Sequence, residues 1–282
     1  MYKKFMKYIN KIVEKIRNKE LLKYILWKSG FNSALKKIMT FRHSKISELD
    51  YRVDNIENIS QVIYENYSFD GRISEIFSNN KNKVVHKWLH YLPIYEKYFD
   101  SYVGKDVHFL EIGVYKGGSM QMFRKYFGND ALIFGIDIDI NCMKYDGVDG
   151  NVRIGNQSDK NFLDSVITEM KYVDIVLDDG SHNMKDIKNS FLHIFPKLKD
   201  GGIYMIEDLH TSYWRNYGGG IKSNNNFFNF LRELIDDIHH WYHEQGLKYP
   251  EVSKYIPAVH IYDSLVVFEK KLVEKPISTK VF

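Results

Sequence analysis

One cysteine, Cys142, stands in 282 residues. That count excludes a disulfide framework within the chain and fits a reducing compartment. No uninterrupted apolar run approaches the ~20 residues of a membrane span. The lysine-bearing N-terminus has no apolar core followed by small residues, so no secretory signal is expected and a cytoplasmic location is. Also missing are the GxGxxG of a dinucleotide fold and the GK[ST] of a P-loop. What is present is a substantial core: hydrophobic residues make up 44%, with 18 Phe and 21 Tyr. That content points to a globular protein of one large α/β domain, or of a domain plus an appendage.

The formal charge of +4 is unevenly spread. Residues 1–48 hold 13 Lys/Arg against three Glu, a local +10, which leaves −6 for the rest. The body is therefore no nucleic-acid surface. Over residues 1–37 apolar residues recur at helical spacing (Phe5, Tyr8, Ile9, Ile12, Val13, Ile16, then Leu21, Leu22, Ile25, Leu26). Two readings stand for this basic amphipathic pattern. One is peripheral contact with an anionic membrane, which would put the protein at the inner membrane face. The other, preferred, is an extra helical layer on the main domain or a sister subunit. Ser78–Lys83 is a polar linker, so the expected organisation is a basic helical region over 1–83 and a main domain over 84–282.

His86-Lys87-Trp88-Leu89-His90-Tyr91 opens an aromatic-rich segment read as a helix to about Phe99. His86, Lys87 and His90, with Tyr91 beside them, either line a substrate pocket or are ordinary helix-surface and packing residues. Val107–Ser119 reads as a strand, a Gly-rich turn and a helix start, suited to close backbone approach of a nucleotide-like ligand. Its Glu111-x-Gly113 opening is typical of sites for the amino-acid end of S-adenosylmethionine, with Tyr115, Gly117 and Ser119 in the same turn. A second strand ends at Asp137, placed to accept from both ribose hydroxyls. After a third strand, Gln157, Ser158 and Asp159 are placed to touch an adenine edge, although Ser158 or Asp159 also suits a plain N-cap.

Two further apolar runs, Ile175–Leu177 and Ile203–Ile206, each end in acids: Asp178-Asp179 and Glu207-Asp208. As parallel strands they would gather those carboxylates at the carboxyl edge of the sheet, with His182 beside them, like a hard-metal site with a base. Residues 215–226 read as a lid or a surface loop. Phe227–His243 reads as one helix whose His239, His240 and His243 lack the partners a zinc site needs. The last two strands read as a terminal antiparallel hairpin.

Leu110-Glu111-Ile112-Gly113, Asp137, Gln157-Ser158-Asp159, Asp178-Asp179-Gly180-Ser181-His182, Gly201-Gly202, Ile206-Glu207-Asp208, Thr211-Ser212-Tyr213-Trp214 and Ile261-Tyr262-Asp263 form a specific combination. With it, residues 86–270 resemble the metal-dependent sugar O-methyltransferases of the macrolide (mycinamicin and macrocin) type, within the class I S-adenosylmethionine-dependent methyltransferases. The first 80 residues carry no such resemblance. The resemblance implies a Rossmann-like α/β fold, a mostly parallel seven-stranded sheet with a C-terminal antiparallel hairpin, preceded here by the N-terminal helical extension. It implies S-adenosylmethionine held by Glu111, Gly113, Tyr115, Gly117, Ser119, Asp137, Gln157, Ser158, Asp159 and Asp178. It implies Mg²⁺ (or Mn²⁺) on Asp179, Glu207 and Asp208, and His182 as general base, with Asp178 kept off the metal. His86, His90, Tyr91, Tyr213 and Trp214 are the candidate acceptor contacts. The acceptor would be a sugar hydroxyl: on a nucleotide-activated hexose or heptose, a surface polysaccharide or a glycosylated natural product. A homo-oligomer is expected. Two alternatives remain at this point: methylation of a catechol or other small acceptor, and a non-catalytic membrane-associated scaffold.

Overall fold

β-Branched and aromatic residues fill the runs that the sequence marks as strands, and each such run takes its place in one sheet. The computed structural model describes residues 56–282, so the expected helices of residues 1–37 lie outside the described residues. The strands are β1 (His108–Ile112), β2 (Leu132–Asp137), β3 (Asn151–Ile154), β4 (Val173–Asp178), β5 (Leu198–Ile206), β6 (Val259–Tyr262) and β7 (Leu265–Glu269). They lie in the order β3-β2-β1-β4-β5-β7-β6. The first five pair in parallel, whereas β7 runs antiparallel to β5 and β6 antiparallel to β7. The expected sheet, hairpin included, is what forms. The strand order reverses between β1 and β4, the point at which open α/β sheets leave a crevice.

Side chains alternate across the sheet, and that alternation divides the core in two. On one face Phe109, Ile133, Ile175, Leu177 and Met205 pack under α1 (Ile59–Tyr67), α2 (Arg72–Ser78), α3 (Leu92–Phe99) and α4 (Gly118–Phe127). On the other, Leu110, Ile136, Val176, Tyr204 and Ile206 pack under α5 (Lys160–Met170), α6 (Met184–Ile194) and α7 (Phe227–Ile238).

Three boundaries differ from the sequence reading. The compact unit runs over Asn58–Phe282, so residues 58–83 belong with the sheet domain. Ile63, Ile73 and Phe77 are buried in the same cluster as Tyr95 and Phe123, and the Ile73 amide donates to Glu96 Oε2 at 2.9 Å. The helix expected from His86 begins only at Leu92, with Pro93 in its first turn. Proline is tolerated there and not further in, and Lys87 and Trp88 are drawn away by partners described below. Helix α7 stops at Ile238. His239, His240 and His243 donate to the carbonyls of Ile235, Asp237 and Asp236 in the last turn, where helix carbonyls run short of intrahelical donors. The histidine run is a C-terminal cap.

Starting the chain at residue 84 instead of 58 would strip Ile63, Ile73 and Phe77 from the core, each worth ~1.5–3 kcal/mol of burial. A 58–282 fragment should unfold cooperatively in urea, while an 84–282 fragment loses roughly 5 kcal/mol or more and shows no native baseline. Equal midpoints for the two would disprove this assignment of α1 and α2.

Candidate active site

The backbone ladder of the sheet continues one residue past the strand ends. Gly113 N donates to Ile136 O at 2.8 Å, Asp179 N to Ile112 O at 2.9 Å and Glu207 N to Asp178 O at 3.0 Å. Asp137, Gly113, Asp179 and Glu207 therefore stand side by side on one rung at the crevice. Alternation turns Glu111, Asp137, Asp179 and Glu207 toward the face of α3 and α4. Asp178, one residue away, is turned to the opposite face. A cavity of about 390 Å³ opens here, lined on one side by Gly113, Tyr115 and Asp137 and on the other by Asp179, His182 and Asp208.

Gly113 has φ +99°, and a Cβ there would lie 2.1 Å from Asp179 O. Gly118 would bring a Cβ to 2.1 Å from Val84 O. The sequence reading gave Gly113 to a ligand, yet it and Gly118 first make room for the protein's own backbone. Gly117, in the left-handed region, caps the start of α4. Asp137 Oδ2 accepts from the amides of Val114 and Tyr115 at 2.9 and 3.0 Å, and Oδ1 from that of Asp139 at 2.8 Å. Burial opposes its charge, but these amides outweigh that and hold the carboxyl below its ordinary value. The Cys142 thiol also bonds to this carboxylate, which stands on the cavity wall. Glu111 is fully buried. Ser119 donates to its Oε1, and Oε2 has no hydrogen-bond partner. An orphaned buried carboxylate oxygen beside a glycine turn fits the ammonium of an amino-acid ligand.

On the other side, ligand atoms of Asp179, His182 and Asp208 all lie within 4.8 Å of one another, the one such group of acids and histidines among the described residues. His182 Nε2 is 3.9 Å from Asp179 Oδ1 and 3.7 Å from Asp208 Oδ2. The two carboxylates are the hard oxygen donors that suit Mg²⁺ or Mn²⁺, with the imidazole of His182 beside them. Trp88 Nε1 and the Tyr91 hydroxyl both donate to Asp208 Oδ1 at 3.0 Å. Glu207, the third expected ligand, is buried, with Lys87 Nζ at 2.8 Å from Oε2 and the Tyr95 hydroxyl on Oε1. It lines the cavity, but its oxygens are engaged.

Several expected ligand contacts take other places. Asp178 accepts from Ser190 at 2.7 Å, from Tyr204 at 3.2 Å and from Gln157 at 3.2 Å. Burial pushes its carboxyl up to about 6. Gln157 Oε1 accepts from the Ser181 amide at 2.7 Å, so Gln157 and Asp178 tie two loops together beneath the cavity. Ser158 donates to Asp186, and Asp159 caps α5 through the amides of Asn161 and Phe162. None of these four lines the cavity. Of the candidate acceptor contacts, His86 lines it, and Tyr91 stands behind Asp208. His90 lies against Tyr91 with its ring nitrogen on Asp263 O at 3.1 Å. Tyr213 stacks on Phe228, and Trp214 meets His210 edge-on at 4.8 Å. The 215–226 loop, read as a lid or a surface loop, is tied down by Asn226, whose Nδ2 donates to Ser212 O at 2.9 Å and to Gly220 O at 3.1 Å. Trp88 is the site residue the sequence reading passed over, while Lys87, read as a possible pocket residue, lines the cavity paired with its acids. Pro93 was the available signal, since it frees the preceding residues from a helix.

Burial pushes the Glu111 carboxyl up to about 7, against the downward pull of Lys87. Its folded value therefore lies above its unfolded one. The stability it contributes is full below about 4.5 and is lost as pH rises through about 7. Asp178 acts in the same direction at lower pH. Glu111→Gln should flatten the fall in ligand-free Tm between pH 5 and 8 and leave the variant a few kcal/mol more stable than wild type at pH 8. An unchanged pH profile in thermal unfolding would remove Glu111 as its source.

Residues 110–209 match the family model described as a methyltransferase domain. Among curated proteins, the chain is 32% identical over 199 residues to demethylmacrocin O-methyltransferase of Streptomyces fradiae, covering 65% of this chain and 50% of that protein. It is 34% identical over 200 residues to mycinamicin VI 2''-O-methyltransferase of Micromonospora griseorubida, covering 65% and 49%. The chain thus spans about half the length of the curated relatives it matches. Among solved structures, MycE methyltransferase from the mycinamycin biosynthetic pathway, in complex with Mg and SAH, aligns with a TM-score of 0.64 at 30% identity, covering 72% of this chain and 55% of that one. The same enzyme with Mg, SAH and mycinamycin VI aligns at 0.61 and 29%, covering 77% and 54%. Residues 110–209 thus match a methyltransferase domain, and the proteins to which the chain is similar include the mycinamicin and macrocin O-methyltransferases.

Proposed function

We propose that the protein is an S-adenosylmethionine- and Mg²⁺-dependent O-methyltransferase that methylates a sugar hydroxyl. One observation carries the reading: a single cavity joins the glycine turn and Asp137 to the group Asp179, His182 and Asp208. Methyl donor and deprotonated acceptor would meet in that space. In its support, relatives are named for mycinamicin VI and for a rhamnosyl-tetracenomycin C, and MycE was solved with Mg, SAH and mycinamycin VI.

Glu111 Oε2 would take the ammonium of the cofactor and Asp137, on the cavity wall, a ribose hydroxyl, and the bound cofactor's sulfonium would supply the methyl group. Asp179 and Asp208 hold the metal, joined by Glu207 once its oxygens are released; Mg²⁺ bound there would lower the pKa of an adjacent hydroxyl. Trp88 and Tyr91 keep Asp208 from turning away. His182 takes the acceptor proton at Nε2, and much of the acceleration comes from holding acceptor and methyl in line. His86 and Trp88, on the wall of the cavity, meet the sugar. The acceptor class favoured by the relatives is a glycosylated small molecule, with sugar nucleotides and surface polysaccharides as further sugar acceptors. A catechol would also suit two acids and a base, but nothing among the relatives points to one.

His182 also lies close enough to be a metal ligand, and the two roles separate experimentally. His182→Ala should retain S-adenosylmethionine and Mn²⁺ binding while turnover falls ~10²–10⁴-fold; loss of Mn²⁺ affinity would make it a ligand instead. Asp179→Ala, Asp208→Ala or EDTA should abolish transfer with S-adenosylmethionine binding intact in calorimetry. Full turnover in EDTA would refute the metal-dependent reading. Mass-spectrometric screening for a gain of one CH₂ on glycosylated natural products, sugar nucleotides and unlinked catechols identifies the acceptor.

A further inference from the structure

Lys87 has the most constrained side chain in the site, and the reaction as proposed gives it no part. Its side chain is 2% exposed, and Nζ lies 2.6 Å from Asp179 Oδ2 and 2.8 Å from Glu207 Oε2. An ammonium has only donors, and a buried one must be paired. The Tyr95 hydroxyl takes the other oxygen of Glu207, and Trp88, next in the chain, donates to Asp208. Two consecutive residues thus hold Asp179, Glu207 and Asp208, the three acids that face the cavity. The segment that carries them is itself fixed, with Lys83 paired to Asp149 and Val84 seated on Gly118.

We propose that Lys87 is the resident counter-ion of this acid cluster and a positioning residue for the metal: its ammonium holds Asp179 and Glu207, and a divalent cation binds by displacing it. The inference rests on the reading that the cavity takes a divalent ion. Mg²⁺ needs oxygens at ~2.1 Å, and Nζ already sits on one oxygen of Asp179 and one of Glu207. A +1 and a +2 charge on the same two carboxylates would stand only a few ångströms apart, with several kcal/mol of repulsion even at an effective dielectric of about 20. One must yield. The flexible four-carbon stem of lysine lets Nζ withdraw without moving the backbone. Two consequences follow from the charge. Without metal, the three acids are held together instead of repelling one another. A monovalent ion exchanged for Lys87 adds no charge, so the site favours divalent ions.

The test uses Mn²⁺ as the probe, with free Mn²⁺ followed by electron paramagnetic resonance and the metal-free protein by thermal unfolding. Lys87→Met should lower the Tm of the metal-free chain, tighten Mn²⁺ about tenfold or more and enlarge the Tm gain on adding Mn²⁺. A lysine that only props the fold would lower Tm without tightening Mn²⁺, so unchanged or weaker Mn²⁺ binding by the variant overturns the proposal and leaves the metal reading standing. Failure of both wild type and variant to bind Mn²⁺ overturns the two together. Should Lys87→Met not fold, the double variant K87M/E207Q compared with E207Q carries the same expectation, because Lys87 still faces Asp179 in the single variant; equal affinities there overturn it too.

Discussion

The carboxyl-end ladder is the constraint on which the site depends. Backbone hydrogen bonds from Gly113, Asp179 and Glu207 prolong the parallel pairing by one residue beyond β1, β4 and β5. That extension fixes the spacing of the side chains that do chemistry, because neighbouring strands lie ~4.8 Å apart. It also fixes their direction. With a period of two, an acid at an odd position of β4 faces α3 and the cavity, and an acid one residue earlier faces α6. Asp179 and Asp178 are adjacent in sequence, yet they serve different cores. Gly113 is what lets the rung close, since any Cβ would strike the Asp179 carbonyl.

Gathering acids on one rung creates an electrostatic problem that other residues solve. Glu207 is buried, and burial raises its carboxyl well above the ordinary range, opposed chiefly by Lys87. Lys87 and Tyr95 come from the segment before α3 and from α3 itself, elements whose core residues sit on that face of the sheet. Packing and electrostatics thus share one cause: the apolar residues that dock α3 deliver the donors that make the acids tolerable. Tyr91 does the same for Asp208, and its hydroxyl also reaches Ser264 O at 3.2 Å in the turn of the β6–β7 hairpin. The antiparallel hairpin therefore buttresses the site as well as completing the sheet.

Much of this was legible in the sequence because it follows from periodicity. Ile175 and Leu177 alternate with Val176 and Asp178, and Ile203–Ile206 runs straight into Glu207, so strands and sheet edge could be read from residue type alone. The same alternation separates Asp178 from Asp179, a distinction open to a reader who extends the parity past the strand end. Long-range partners were not legible. That Lys87 meets Glu207 across 120 positions depends on how α3 docks, which no local pattern encodes. Gln157, Ser158 and Asp159 were read as ligand contacts because polar residues after a strand suit both a ligand and a loop. The loop claimed them, since the Ser181 amide, Asp186 and the first amides of α5 were nearer.

Backbone strain marks the same place from another direction. His182 and Asp208 both adopt left-handed backbone, with φ +54° each. Aspartate and histidine enter that region more readily than most residues, but at a cost that surrounding contacts must hold. Thr211 is the contact that does so for both: its Oγ1 lies 2.7 Å from Asp208 O and 3.2 Å from His182 O. It is itself buried. A single hydroxyl thereby links the loop after β4 to the loop after β5, and the imidazole and the carboxylate are held at a common distance. Each loop alone could relax to an unstrained turn. Joined through Thr211, neither can do so without moving the other, which is how a base on one loop keeps its register with an acid on the next.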